Sequence, residues 1–242
     1  MWIKFRFVVI VGFLFCGSKS IAGYRSDFLI PQTHTLDTGE WQVAVERRAV
    51  FLKEETDPVG YGHQSNLGLS FGIWDYGPVA VEGGTDWLEP SAGSMGRSVF
   101  GHLRVRFNRL SEMGWSVATG IENLGFVTNK NDVNYIYVTL QNKIGELWTV
   151  GAGAYSGNSR FLVDHRGKPD AKGMFVGVWR QVQRGLGRVG LEYQTGLNQF
   201  GFMFVGTTLE LAEGILGTLG YGFANDQQLV RDSALARISA DF

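Results

Sequence analysis

Residues 99–107, VFGHLRVRF, decide the fold. Val99, Gly101, Leu103, Val105 and Phe107 share one parity, and Phe100, His102, Arg104 and Arg106 share the other. Successive side chains of a strand point to opposite faces, so this is a strand with one apolar side and one largely ionic side. A helix would need its apolar residues three and four apart, whereas here they fall two apart.

The alternation spreads in both directions. In 66–74, Leu67, Leu69, Phe71 and Ile73 form the apolar face. Val189, Leu191 and Tyr193 oppose Arg188, Glu192 and Gln194. At the end of the chain Ala234, Ala236, Ile238, Ala240 and Phe242 oppose Ser233, Arg237, Ser239 and Asp241. Twelve such segments follow one another: 40–52, 66–74, 77–85, 99–107, 114–124, 134–141, 146–155, 173–182, 189–195, 200–211, 215–224 and 233–242. Segments 134–141 and 173–182 are apolar on both parities, and 200–211 nearly so, which leaves their faces open. Arg47 interrupts the apolar side of 40–52 and points to a bulge or to a membrane interface there.

The gaps alternate in length. A long gap follows the first segment, a very short one the second and a long one the third. The longest, 156–172, is rich in Gly, Asn and Asp, and only 196–199 is short where a long gap is due. Short turns at one end and longer loops at the other are the habit of transmembrane barrels. Trp41, Trp115 and Trp148 each open an odd-numbered segment, which puts them at one interface with Phe242. Tyr155 and Trp87 are expected at the opposite rim, completing two aromatic girdles.

In hydrocarbon every backbone donor and acceptor needs a partner within the protein, which only helices and closed sheets supply. No apolar run of about twenty residues is present, so helices cannot span here. Alternating segments of about ten residues suit a tilted barrel. The expectation is an all-β, antiparallel transmembrane β-barrel of 12 strands over 40–242.

Residues 1–22 read as a cleaved signal peptide. Lys4 and Arg6 precede an apolar run, and Ser20 and Ala22 stand at the two positions a signal peptidase reads. Cys16, the only cysteine, would leave with that segment, so no disulfide is expected. Residues 23–39 are polar and read as a periplasmic N-terminal lead-in. Glycine is abundant at 34 residues and proline scarce at 5, which suits bending strands. A formal net charge of -1 gives no support for nucleic-acid binding.

The signal segment, the alternation and a last segment ending in Phe242 together resemble the outer-membrane β-barrel proteins of bacteria. The resemblance implies residence in the cell outer membrane, contact with its lipid, and recognition of the terminal strand by the barrel assembly machinery. Twelve-stranded members of that class include small-solute channels, a phospholipase and translocator domains.

Three functions follow as expectations. The leading one is a passive channel for small, anionic solutes. Its lumen would be lined by Glu46, Arg48, Glu82, His102, Arg104, Arg106, Glu122 and Glu192, with Arg188, Arg237 and Asp241 on the same parity. A basic strip at His102, Arg104 and Arg106 would favour anions, because a confined channel focuses its field. A salt-bridged interior that plugs the barrel, as a partner of envelope or export machinery, is the structural alternative.

The enzymatic alternative rests on His63-Gln64-Ser65-Asn66. This resembles the H-x-S-N segment of outer-membrane phospholipase A and the lipid A deacylases, which implies His63 as base and Ser65 as nucleophile on an acyl ester. The glycine that follows in the phospholipase is Leu67 here, and a polar loop ending at a strand is the other reading. Asp164, His165 and Asp170 share the longest gap with Arg160, Arg166, Lys168 and Lys172, where contact with a metal or with lipopolysaccharide is one reading and ordinary loop solvation the simpler account. No metal-ligand spacing and no cofactor fingerprint are present.

Overall fold

The computed structural model describes residues 30–50, 63–89, 98–107, 114–125, 132–183 and 187–242. The expected signal peptide 1–22, with Cys16, lies outside them, as do residues 23–29. The described chain forms twelve strands. They are β1 (Trp41–Val50), β2 (His63–Tyr76), β3 (Val79–Glu89), β4 (Ser98–Phe107), β5 (Trp115–Leu124) and β6 (Tyr135–Ile144). They continue as β7 (Trp148–Ser156), β8 (Lys172–Gln183), β9 (Gly187–Gln194), β10 (Phe202–Ala212), β11 (Ile215–Ala224) and β12 (Ser233–Asp241). Every pairing is between chain neighbours and antiparallel, and β1 closes on β12. Closure leaves no edge strand with unpaired backbone groups.

All twelve expected segments are strands, with ends shifted by a few residues. Arg47 sits in unbroken register opposite Ala236 and Ser65, so no bulge explains it. Register shifts fall instead at Gly72/Trp74, Gly101/Leu103, Gln181/Gln183 and Glu210/Ala212. Gly77 and Gly214 take positive φ (65 and 71) in the tight turns β2–β3 and β10–β11, a conformation hairpin turns require.

The outer surface is apolar. Val45, Leu67, Leu69, Phe71, Leu103, Val138, Val176, Leu191, Val205 and Ile238 are all exposed. Water would not tolerate such a belt on a monomer, whereas hydrocarbon requires it. Trp41, Trp115, Trp148 and Phe242 are exposed at the end of the short turns and the C-terminus, and Trp87 is exposed toward the long loops. Tyr155 departs from the expected girdle: it is buried and faces the interior. Its strand turns small residues, Gly151 and Gly153, to the same inner face, and the ring lies over Gly173 of β8.

That ring-on-glycine arrangement recurs inside the barrel. Tyr137 lies over Gly120, Phe175 over Gly153, Trp179 over Gly190 and Phe204 over Gly222, each on a neighbouring strand. A side chain at any of these glycines would meet the ring. These five glycines are thus space for interior aromatics.

Candidate functional site

The expected lumen residues all point inward, and their partners define the interior. Arg104 Nε donates to Tyr137 Oη at 3.0 Å, and its guanidinium lies 3.8 Å from Glu122. Arg106 lies 3.5 Å from Asp75. His102 Nδ1 is 2.9 Å from Asp86, with Ser70 Oγ 3.5 Å from its Nε2. Arg237 pairs with Glu46, and Arg48 lies over the rings of Phe202 and Phe204. Glu192, fully buried, accepts from Trp179 Nε1 at 3.0 Å. The basic strip read from 99–107 is therefore matched by carboxylates on β2, β3 and β5. Its fixed charge is smaller than the sequence alone implies.

The lead-in supplies the largest difference from the sequence reading. From Ile30 on it runs inside the barrel. The backbone N–H of Ile30 donates to Glu192 of β9 (2.7 Å), that of Thr33 to Gln141 of β6 (3.2 Å) and that of Leu36 to Glu82 of β3 (3.0 Å). Three amides at every third residue thus meet acceptors on three separated strands. Arg104 Nη1 donates to the His34 carbonyl at 2.9 Å, and Arg106 Nη1 meets His34 Nδ1 at 3.2 Å. Ile30 packs with Tyr135, Tyr137, Tyr155, Leu162, Phe175 and Trp179. The segment leaves beside β2, where Gly39 N donates to Gly72 O and Gly72 N to Glu40 O. Any side chain at Gly72 would strike the Asp37 and Leu36 carbonyls, so glycine there admits the segment.

Sequence reasoning found Glu82, Arg104, Arg106 and Glu192 and missed what they hold. The inward parity of β3 and β6 carried a signal for Asp86 and Gln141. Nothing in the non-periodic residues 30–36 marks them as interior. Their amides need partners wherever the segment lies, and water would have served equally well in an exterior lead-in.

Ser65 is on the outward parity of β2 with Leu67, opposite Arg47 of β1 and Glu89 of β3. His63 opens the same strand, and its side chain lies outside the described ones. Asp164 instead shapes its own loop, accepting the Arg166 and Lys168 amides at 2.9 Å each. His165 Nδ1 is 2.7 Å from Asp226, tying the β7–β8 loop to the β11–β12 loop. Among the described residues no group of three or more acidic, His or Cys side chains is arranged to hold a metal ion.

A closed antiparallel barrel with an apolar exterior and ionic groups inside is the architecture of outer-membrane β-barrels. No family model and no curated protein matches the chain. Solved structures share its fold. The COG4313 outer membrane channel from Pseudomonas putida F1 superposes with a TM-score of 0.55 at 13% identity, over 86% of this chain and 97% of that one. The KdgM porin does so at 0.51 and 9%, over 83% and 98%.

Proposed function

We propose that this chain is an outer-membrane channel for small solutes, with residues 30–36 as a gate lying in its lumen. One observation carries the reading: ionic side chains face inward on many strands, although an apolar filling was open to the sequence. Buried ion pairs are poor stabilisers compared with packed apolar residues, so a barrel selected only to be plugged has little reason to keep them. A path for hydrated solutes does need them. The neighbours bearing this fold are named a channel and a porin, which supports the same reading. With the segment withdrawn, Arg104 and Arg106 would lose their His34 partner atoms and face the path, which is where an anion preference would arise.

The test is planar-bilayer conductance of the mature protein beside a variant lacking 30–37. Small or rare openings in the first and steady ones in the second are the expected result. Silence in both, with correctly folded barrels, would replace the channel by a plugged barrel that partners envelope machinery. The acyl hydrolase alternative retains one favourable feature, the outward parity of Ser65 near the outer rim. Hydrolysis of an acyl ester, lost in Ser65→Ala, would establish it, and no activity in the parent would remove it.

A further inference from the structure

A second concavity lies away from the lumen, at the end of the barrel that carries the long loops. It encloses about 460 Å³ and is lined by Asp164, Lys168, Asp170, Tyr193, Leu197 and Asn225 among others. That volume falls within the roughly 300–1,000 Å³ usual for small-ligand sites. Its position is unusual. Tyr193 is on the outward face of β9, and Tyr193 and Leu197 are both exposed. One wall therefore continues the apolar belt, while the other belongs to the β7–β8 loop.

The walls are held before any ligand arrives. Asp164 is fixed by two amides of its own loop. Asp170 accepts from the Leu197 amide, and Asn198 donates to the Asp170 carbonyl at 2.6 Å and to Tyr155 Oη at 3.1 Å. Asn225 Nδ2 donates to the carbonyls of Gln194 (2.8 Å) and Gly196 (2.9 Å). Three loops are thus joined around the pocket, and little ordering remains to be done on binding.

The chemistry of the lining narrows the occupant. Two carboxylates against one ammonium disfavour a phosphate as the recognised group. Fixed carboxylate and amide oxygens accept hydrogen bonds from hydroxyls, and an aromatic ring offers a flat apolar face. Hydroxyl-rich rings with an apolar side have these properties, and the adjoining belt calls for an attached acyl chain. We propose that this pocket holds the sugar headgroup of an outer-leaflet glycolipid, docked from the membrane side. The site is independent of whether the lumen conducts.

The experiment is native mass spectrometry of the mature barrel released from zwitterionic detergent. Three probes are added in turn: a rough-type lipopolysaccharide, its deacylated glycan and phosphatidylglycerol. One bound lipopolysaccharide per barrel is expected, with weaker glycan binding and none of phosphatidylglycerol. Tyr193→Ala and Lys168→Ala should each weaken it by about tenfold, on the scale of one aromatic or charged contact. Trp148→Ala, an exposed aromatic at the opposite rim, should leave it unchanged. Phosphatidylglycerol binding as tightly as the glycolipid would overturn the proposal, and so would glycan binding equal to that of the acylated form. Unchanged binding in both pocket variants would also overturn it. Should Tyr193→Ala fail to fold, Leu197→Asn tests the same wall from a loop.

Discussion

On β3 and β4 the interior face carries Glu82, Asp86, His102, Arg104 and Arg106. On β8 and β10 it carries Phe175, Trp179, Phe202 and Phe204. One side of the barrel is filled by ion pairs and the other by rings seated on glycines. Residues 30–39 touch both. Their His34 and Leu36 end is held by Arg104, Arg106 and Glu82, and their Ile30 end lies among the aromatics. The difference suggests a division of labour. The aromatic side is a packed wall whose contacts are lost together or not at all. The ionic side consists of groups that can exchange the segment's atoms for water or solute at modest net cost. A gate needs such a surface on at least one side.

The largest expected effect comes from breaking this arrangement at its entrance. Gly72→Val places a side chain against the Asp37 and Leu36 carbonyls and should expel the segment. A segment held by a few hydrogen bonds of about 1 kcal/mol each keeps the open state rare, so expulsion should raise mean conductance by roughly tenfold or more. Planar-bilayer recording checks it, and conductance equal to the parent's would show that 30–36 does not obstruct the path.

Next come two truncations, one on each side. Phe204→Ala opens a cavity over Gly222 and should cost about 3–5 kcal/mol. Arg104→Ala leaves the carboxylates near it without their cation and should cost about the same, roughly 3–5 kcal/mol. Urea-dependent folding into detergent or lipid reads both. The comparison sharpens in the channel assay: only Arg104→Ala should lower anion over cation selectivity, measured as reversal potential in a salt gradient. Equal selectivity in the two variants would erase the proposed division.

Gly153→Ala is a smaller intrusion on the aromatic wall, since the added carbon meets the Phe175 ring and the Val138 carbonyl. Overpacking of this kind should cost about 1–3 kcal/mol in the same folding assay. The smallest effect belongs to the outer loops. Burial works to raise the Asp226 pKa, but hydrogen bonds from the His165 side chain and from the Gln228 and His165 amides outweigh it and hold the carboxyl below its usual value. A depressed folded-state pKa stabilises the loop contact above the unfolded carboxylate value near about 3.9 and loses that stabilisation as pH falls through the folded value. Protection of the His165 amide, which donates to Asp226, measured against its intrinsic exchange rate at each pH, should therefore be lost only in that acid range. Protection that persists there, or fails near neutrality, would contradict the assignment.

Legibility followed the same divide between the two sides. In β4 the inner face is charged and the outer face apolar, so parity alone assigns every residue. In β8 and β10 aromatic residues face inward and aliphatic residues outward, so both parities are apolar and the faces stay ambiguous in sequence. Tyr155 was misplaced for that reason, because an aromatic near a strand end fits a girdle and an interior cluster equally well. The inward-facing residues Glu46, Arg48, Glu82, His102, Arg104, Arg106, Glu122 and Glu192 were legible as a face, but their partners were not. Cross-strand neighbours depend on register, which no single strand encodes.

What the sequence determined by itself was the number of strands, the facing of those with one polar side and the two unequal ends. These are local consequences of a side-chain period of two and of turn chemistry. The tertiary structure alone decided that the barrel closes with the rings of one strand over the glycines of the next, and that residues 30–36 lie inside it. Both are contacts between residues far apart in the chain, such as Ile30 with Glu192. They exist only once closure has fixed which inward groups face one another, because the same amides could have been satisfied by water anywhere outside.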